Sequence, residues 1–315
     1  MIHNSTLITL IHESTGLSES QIHRLIIRSP HTYKVYTIPK KTGGIRTIAQ
    51  PAKETKFLQR WLMKNVLNEL PLHESATAYT INSSIKKNAS AHKENSYISK
   101  FDFKNFFFSI NESDLIQHFT KHICNRFSRY DIQLIARLSC VYDKQSKMRV
   151  LSIGAPSSPL LSNSVMFDCD CHLLSWCKTN DVIFTRYADD LTFSTNTKGI
   201  SLKLEAEINK VLANLTYPQI SLNIKKTIHL SKKYQRRVTG LILTNQNQIS
   251  IGRNKKRKIS AMIHGHKLNK LSLDETYHLQ GLLGFAKDIE PWFITSMRNK
   301  YGSETLDSIF QTRTK

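Results

Sequence analysis

No apolar run in this 315-residue chain approaches the roughly 20 residues that a membrane-spanning helix needs. The opening stretch MIHNSTLITLIHES has no basic leader region and no small-residue cleavage site, so a signal peptide is not expected. Acidic residues are scarce: 24 Asp and Glu stand against 45 Lys and Arg, a formal charge of +21. An imbalance of that size points to a polyanionic partner, most often nucleic acid, with a membrane surface as the competitor. Cysteines number only five, Cys124, Cys140, Cys169, Cys171 and Cys177. An odd count without a secretion signal argues for reduced thiols and a cytoplasmic protein. The cluster Cys169, Cys171, Cys177 matches no usual zinc spacing, and buried thiols are the simpler expectation. Internal repeats and low-complexity linkers are absent. With 40% hydrophobic residues the chain is globular rather than disordered, and it is long enough for two or three subdomains.

What is present begins with helices. Residues 1–30 read as a helical appendage: Ser18 and Gln21 form a capping box, Leu17 can staple to Ile22, and Pro30 stops the pattern. Residues 33–51 alternate around Lys40-Lys41-Thr42-Gly43-Gly44, a β-hairpin with Lys40, Lys41 and Arg46 at or just past its tip. Such a basic tip either covers a triphosphate or is simply solvated. An amphipathic helix follows at 53–70, with Phe57, Leu58, Trp61, Leu62, Val66 and Leu67 on one face. Residues 79–98 read as a polar loop and short helix, with His92 on the surface, and 112–142 as helical. Gly154, Pro156 and Pro159 make a rigid extended loop, whose Ser157 and Ser158 suit an anion or a nucleic-acid backbone. The apolar run from Leu160 through Trp176 reads as one long buried helix. Past a helix at 200–215, QISLNIKKTIHL reads as a strand and RRVTGLILTNQNQISIG as a hairpin turning near Asn245-Gln246-Asn247. From Arg253 the composition becomes basic, with Arg253, Lys255, Lys256, Arg257 and Lys258 opening the first of three helices, near 253–270, 274–287 and 291–301. Positive charge at a helix N-terminus opposes the helix dipole, a cost that a bound phosphate backbone offsets; a solvated charged face is the alternative.

The chemistry concentrates in VIFTRYADDLTFST, residues 182–195. Its β-branched and aromatic flanks read as two short strands around a tight turn. Adjacent Asp189 and Asp190 repel each other at such a tip unless a cation sits there, and hard oxygen ligands suit Mg²⁺. A solvated Asp-Asp turn is the plain alternative. A third acid, Asp102, ends the apolar-alternating strand of YISKFDFKNFFFSI and is followed by Phe106, Phe107 and Phe108. If the two strands share a sheet, the three carboxylates converge, and a pair of Mg²⁺ ions about 3.5–4 Å apart needs such a cluster.

Taken together, these segments resemble reverse transcriptases, and more narrowly the bacterial retron reverse transcriptases. The resemblance runs from about residue 33 to 300, with the motifs in the family's order. Asp102 with Phe106-Phe107 resembles the first catalytic-acid motif, and Gly154-Ala155-Pro156-Ser157-Ser158-Pro159 the template- and nucleotide-positioning loop. Tyr187-Ala188-Asp189-Asp190 matches the Tyr-x-Asp-Asp box, Asn223 and Lys226 resemble the next palm motif, and Arg46 the finger motif that meets the triphosphate. Asn88-Ala89-Ser90-Ala91-His92 resembles the retron Asn-Ala-x-x-His element, and Val238-Thr239-Gly240 the Val-Thr-Gly element. Many relatives carry Gln before the positioning loop; this chain has Ile153, a departure that touches a nucleotide or template contact and leaves the metal chemistry alone.

The resemblance implies an α+β fold of the right-hand polymerase type: fingers, a palm with an antiparallel sheet, and a helical thumb. A helical extension would span 1–30, fingers with part of the palm 31–100, palm with finger insertions 101–235 and a basic helical thumb 236–315. It implies that Asp102, Asp189 and Asp190, with the Phe103 carbonyl, hold two Mg²⁺ ions. Lys226 would give pyrophosphate a proton, Arg46 would clamp phosphates, and Phe107 would exclude a ribose 2′-OH. Gly154, Ala155 and Tyr187 would complete the nucleotide site. Asn88, His92, Pro156, Ser157, Ser158, Val238, Thr239, Gly240 and the basic helix start would bind nucleic acid. The implied activity is RNA-directed DNA synthesis from dNTPs on a cognate structured non-coding RNA (msr-msd). Priming from a guanosine 2′-OH would give branched multicopy single-stranded DNA (msDNA). Template removal would fall to a host RNase H, since no segment reads as one, and a toxic effector acting in phage defence is the family's common partner; no membrane is implied. Three competitors remain. A group II intron or diversity-generating enzyme is disfavoured by the two retron elements, and the former also by the short C-terminus. An RNA-dependent RNA polymerase would usually carry Gly-Asp-Asp and lacks a reason for Phe107. An RNA-binding protein on an inactive scaffold would not need all three acids.

Overall fold

The computed structural model describes residues 5–40 and 43–313, so Lys41 and Thr42 of the hairpin tip lie outside the described residues. The chain forms two compact units, Met1–Asn82 with Ser99–His229, and Ser83–Ile98 with Leu230–Lys315. In chain order, α1 (Thr6–Thr15) and α2 (Glu19–Arg28) are each opened by a serine cap, and Ser18 with Gln21 closes the expected capping box. Strands β1 (Tyr33–Pro39) and β2 (Ile45–Pro51) pair antiparallel from Tyr33 opposite Pro51 to Pro39 opposite Ile45. Next come α3 (Lys53–Asn65), then α4 (Ile85–Ala91), which belongs to the second unit, and β3 (Tyr97–Asp102). Helices α5 (Glu112–Ile123) and α6 (Arg129–Ser139) start on complete capping boxes, Asn111/Asp114 and Ser128/Asp131. A small pair, β4 (Val141–Asp143) and β5 (Met148–Val150), leads to α7 (Ser158–Val165) and α8 (Phe167–Thr179). The hairpin β6 (Ile183–Tyr187) and β7 (Asp190–Thr195), helix α9 (Ser201–Asn214) and strand β8 (Ile228–Ser231) follow.

A four-stranded sheet in the order β6-β7-β3-β8 is the frame on which the chemistry rests. Its period-two alternation puts Phe184, Leu191, Phe193 and Phe101 into the core. Phe184 stacks on Phe193 at 4.8 Å between ring centroids, and Phe101 meets Phe193 edge-on at 5.8 Å. Leu115, Phe119, Ile135, Leu173 and Ile208 from the helices join the same cluster. Each such buried side chain contributes about 1.5–3 kcal/mol relative to exposure.

The second unit continues with β9 (Arg236–Val238), β10 (Leu241–Leu243) and β11 (Ile249–Ser250), a meander in the order β11-β10-β9. Helices α10 (Arg253–Lys267), α11 (Leu273–Ile289), α12 (Pro291–Tyr301) and α13 (Ser303–Gln311) complete it. Ala89 of α4 packs with Val238, Leu241, Ile259, Leu283 and Leu306 in one core. Among the described residues, no helix is long and apolar enough to cross a membrane. Cys140, Cys169 and Cys177 are buried, Cys171 is half-buried and Cys124 exposed, so two of the three clustered thiols are buried as expected.

Four expectations are corrected. The run Leu160–Trp176 is two helices, broken where Met166 leaves helical geometry at ψ 4°. No Gly or Pro marks the break; it places Asn163 of α7 and Asp170 of α8 on one buried arginine. QISLNIKKTIHL is no continuous strand, because residues Ile224–Lys226 form a 3-10 turn before β8. RRVTGLILTNQNQISIG has two turns rather than one, the first at Thr239-Gly240 with both φ positive, +45° and +83°. That two-residue geometry matches the twist of paired strands and suits glycine at the second place. Finally, α13 is a fourth helix after three were expected.

Candidate active site

Asp102 is the last residue of β3 and Asp190 the first of β7, its neighbour in the sheet. Tyr187 pairs with Asp190, so Ala188 and Asp189 alone form the turn. Ala188 takes φ +56°, a left-handed conformation that strains any residue with a Cβ. The Phe103 N–H donates to the Asp189 carbonyl at 3.0 Å, tying the turn to the end of β3. On the other side, the Asn223 N–H donates to the Asp102 carbonyl at 2.7 Å. Lys226 Nζ reaches both Asp102 carboxylate oxygens, at 2.8 and 2.7 Å. Asp102 and the adjacent pair Asp189-Asp190, distant in sequence, are thereby brought together at one end of the sheet.

Their electrostatics show the crowding. Burial, then the charges of Asp190 and Asp102, pushes Asp189 up to about 6. Burial also raises Asp190; the Asp102 charge and a hydrogen bond with its side chain add to this, while Lys100 and Lys226 act the other way. Burial works against the Lys226 ammonium, but its bond to Asp102 and the charges of all three acids outweigh that and raise its pKa. The cluster is short of positive charge, and hard carboxylate oxygens suit a divalent cation. Among the described residues no three His, Cys, Asp or Glu side chains are gathered tightly enough to form a finished metal site. Here the Lys226 ammonium occupies both oxygens of Asp102.

The turn is held from beneath by residues that sequence reasoning missed. Arg186, fully buried, donates from Nε and Nη2 to the two oxygens of Asp170 at 2.8 and 2.6 Å. Its Nη1 donates to Asn163 Oδ1 and to the Ala188 carbonyl, both at 3.1 Å. Burial disfavours the charged guanidinium, but Asp170 more than compensates. The Arg186 backbone also binds the segment Ser75–Ala78, accepting from the Thr77 N–H at 2.8 Å and donating to the Ser75 carbonyl at 2.7 Å. The available signal was alternation: Phe184 and Arg186 share a face of β6, and an inward arginine requires a buried acid.

The other expected residues divide into those near the acids and those elsewhere. Phe107 sits in the 3-10 turn Phe106–Ser109 just past β3, half-buried and 5.4 Å edge-on to Phe106. Tyr187 flanks the turn, and Arg46 is exposed on β2; Asp189, Tyr187 and Arg46 all act on the phenol of Tyr79. Gly154 lies at φ +124°, where a Cβ would stand 2.9 Å from the Ala49 carbonyl oxygen, so only glycine lets the loop approach β2. Ala49 N–H donates to the Ile153 carbonyl at 2.9 Å, and Ala155 is buried beside it. Ser157 and Ser158, expected to face a nucleic-acid backbone, are buried, and Ser158 Oγ accepts from the Ser152 N–H at 3.3 Å. They lie inside the loop, while Pro156 and Pro159 are half-exposed and Gly154 is exposed.

In the second unit the two retron elements meet: Thr239 Oγ1 donates to the Ile85 carbonyl at 3.0 Å, joining the Thr239-Gly240 turn to α4. His92 is not on the surface; it is fully buried, and burial lowers its imidazole to about 3. Asn88 and Val238 are buried as well, so these three side chains lie inside the unit. Along α10, Arg253, Lys255, Arg257 and Lys258 are exposed. Lys256 is not a free grip: it pairs with buried Glu290 at 2.5 Å and lies over the Trp292 ring at 4.3 Å.

The reverse transcriptase (RNA-dependent DNA polymerase) family profile matches residues 38–243. The chain is 39% identical over 280 residues to the retron Ec83 reverse transcriptase of Escherichia coli, covering 88% of this chain and 89% of that one. It is 37% identical over 292 residues to the retron Ec73 reverse transcriptase of the same organism, covering 89% and 90%. Among solved structures it is similar to telomerase from Candida albicans, with TM-score 0.48 and 14% identity over 91% of this chain and 58% of that one. This chain thus spans little more than half of that protein's length.

Proposed function

Because the chain belongs to the bacterial retron reverse transcriptases, RNA-directed DNA polymerases of the right-hand fold, we propose that it adds deoxynucleotides at the Asp102, Asp189, Asp190 cluster. It copies a cognate structured non-coding RNA into branched msDNA, starting from a guanosine 2′-OH. The observation that carries this reading is the junction of residue 102 with the 189–190 turn through the Phe103 N–H and the Asp189 carbonyl. Three crowded carboxylates, two of them raised by burial and mutual repulsion, form a donor set that fits hard divalent cations.

Two Mg²⁺ ions are the proposed occupants, with Asp102, Asp189, Asp190 and the Phe103 carbonyl as their holders. Bound there, they would acidify the attacking hydroxyl and neutralise charge on the departing pyrophosphate. Lys226, half-exposed on a long stem, would leave Asp102 and protonate the pyrophosphate. Arg46 would clamp the triphosphate, and Phe107 would lie under the sugar and reject a 2′-OH. Exposed Arg253, Lys255, Arg257 and Lys258 would grip RNA by its backbone. A host RNase H for template removal and a toxic effector in phage defence complete the reading.

The test gives the purified chain a structured RNA with an unpaired guanosine, dNTPs and Mg²⁺. DNA joined to the RNA through an RNase-resistant branch is expected. DNA made only from an annealed DNA primer would remove the guanosine start, and no DNA from either would remove the polymerase.

A further inference from the structure

Two large side chains stand in solvent on a strap anchored to the strand that leads into the acidic turn. Its first half, Ser75–Ala78, runs along β6, with Ala76 bridged parallel to Arg186. Asn163 Nδ2 donates to the Ala78 carbonyl at 2.7 Å, so the buried network under the acidic turn also fixes the strap. The second half then turns outward, with Tyr79 and Asn82 at φ +60° and +61°. Asparagine adopts that conformation readily, but a tyrosine rarely does, and such strain gathers at functional sites. Tyr79 is 57% exposed, and Ile81, at 93%, is the most exposed large hydrophobic side chain among the described residues. A single exposed apolar residue is ordinary. Two on a strained strap pinned to the catalytic turn are not.

The phenol of Tyr79 is raised by burial of its polar end, then by the charges of Asp189 and Tyr187, with Arg46 opposing. Its hydroxyl thus lies in the field of the acids while much of the residue stays open. The segment Ser75–Asn82 holds no lysine or arginine in a chain of formal charge +21. Any contact it makes with a nucleic acid is therefore uncharged, of the kind that reaches sugars and bases as well as phosphates.

We propose that Tyr79 and Ile81 form an uncharged contact face for the RNA–DNA duplex at the growing end. Tyr79 meets the terminal base pair beside Asp189, and Ile81 follows the duplex as it leaves. This rests on the polymerase reading above, because continuity with the acidic cluster is what identifies the occupant. Aromatic contact with a base is worth enough to shift affinity by roughly tenfold on truncation to alanine.

The experiment measures anisotropy of a fluorescent DNA primer annealed to an RNA template, together with single-turnover extension at saturating duplex. Tyr79→Ala is expected to bind the duplex about tenfold more weakly, Tyr79→Phe close to the parent, and Ile81→Asp at least as weakly as Tyr79→Ala. Thermal midpoints should hold. If Tyr79→Ala lowers its midpoint, Ile81→Asp decides alone, since a side chain 93% exposed has no part in folding. Parental duplex affinity in Ile81→Asp overturns the proposal; so does a loss of binding to an unrelated protein partner with duplex affinity intact. A parent that binds the duplex but never extends it overturns the polymerase reading instead.

Discussion

Two ion pairs serve the same sheet in opposite ways. In Arg186–Asp170 neither side chain touches solvent; in Lys226–Asp102 the lysine side chain is 56% exposed and the aspartate 7%. The sealed pair is a planar fork with both carboxylate oxygens engaged and its remaining donors spent on Asn163 and Ala188. Full satisfaction is what lets a buried charge persist, since desolvation otherwise outweighs attraction. The open pair is one ammonium on a flexible stem, with water always competing. Arginine stands where the geometry must not change, and lysine where a cation has to yield.

The largest effect should come from removing the charge that the open pair balances. Asp189→Asn with Asp190→Asn is expected to lower dNTP incorporation on the order of 10³-fold or more, with RNA binding intact by gel shift; normal extension would refute the assignment. Next, Arg186→Met leaves Asp170 buried without a partner and should cost about 3–5 kcal/mol in urea unfolding. Adding Asp170→Leu should restore most of that stability but not activity, because the Ala188 carbonyl still lacks its donor. Recovery of both would reduce the sealed pair to packing.

A third outcome concerns pH. Burial and the neighbouring acids push Asp189 up to about 6 in the folded chain, above the ordinary 3.8 of an aspartate. Between those values the folded chain holds more protons than the unfolded chain, so stability in EDTA should fall as pH rises through that window. Asp189→Asn should flatten this slope and stabilise the chain at neutral pH by about 1–3 kcal/mol, read by thermal melts across pH. Smaller still, Lys226→Met should change stability by no more than about 1 kcal/mol, while lowering the rate of the chemical step roughly 10²-fold. A large stability loss would show that the open pair is structural after all.

The acids were legible because the chemistry restricts the residue type: Asp102, Asp189 and Asp190 have few substitutes, and their strands announce themselves by alternation. The Ser18/Gln21 capping box was legible for the same local reason. What stayed hidden depends on distant partners. Arg186 sits within the most informative stretch of the chain, yet its role exists only once α7 and α8 bring Asn163 and Asp170 beneath it. His92 is buried at the end of α4, a helix that packs on β9 and β10, far along the chain. Ser157 and Ser158 look like ligands in a loop, and only the packing of α7 turns them inward. Lys256 is indistinguishable from its basic neighbours until Glu290 arrives from the end of α11.

The second unit is assembled from Ser83–Ile98 and Leu230–Lys315. A ribosome releases α4 long before the meander it packs on exists, so during translation Ala89, Asn88 and His92 wait without cover. A nascent chain stalled before residue 230 should therefore be a preferred client of chaperones, held open by a small helix whose destination has not yet been made.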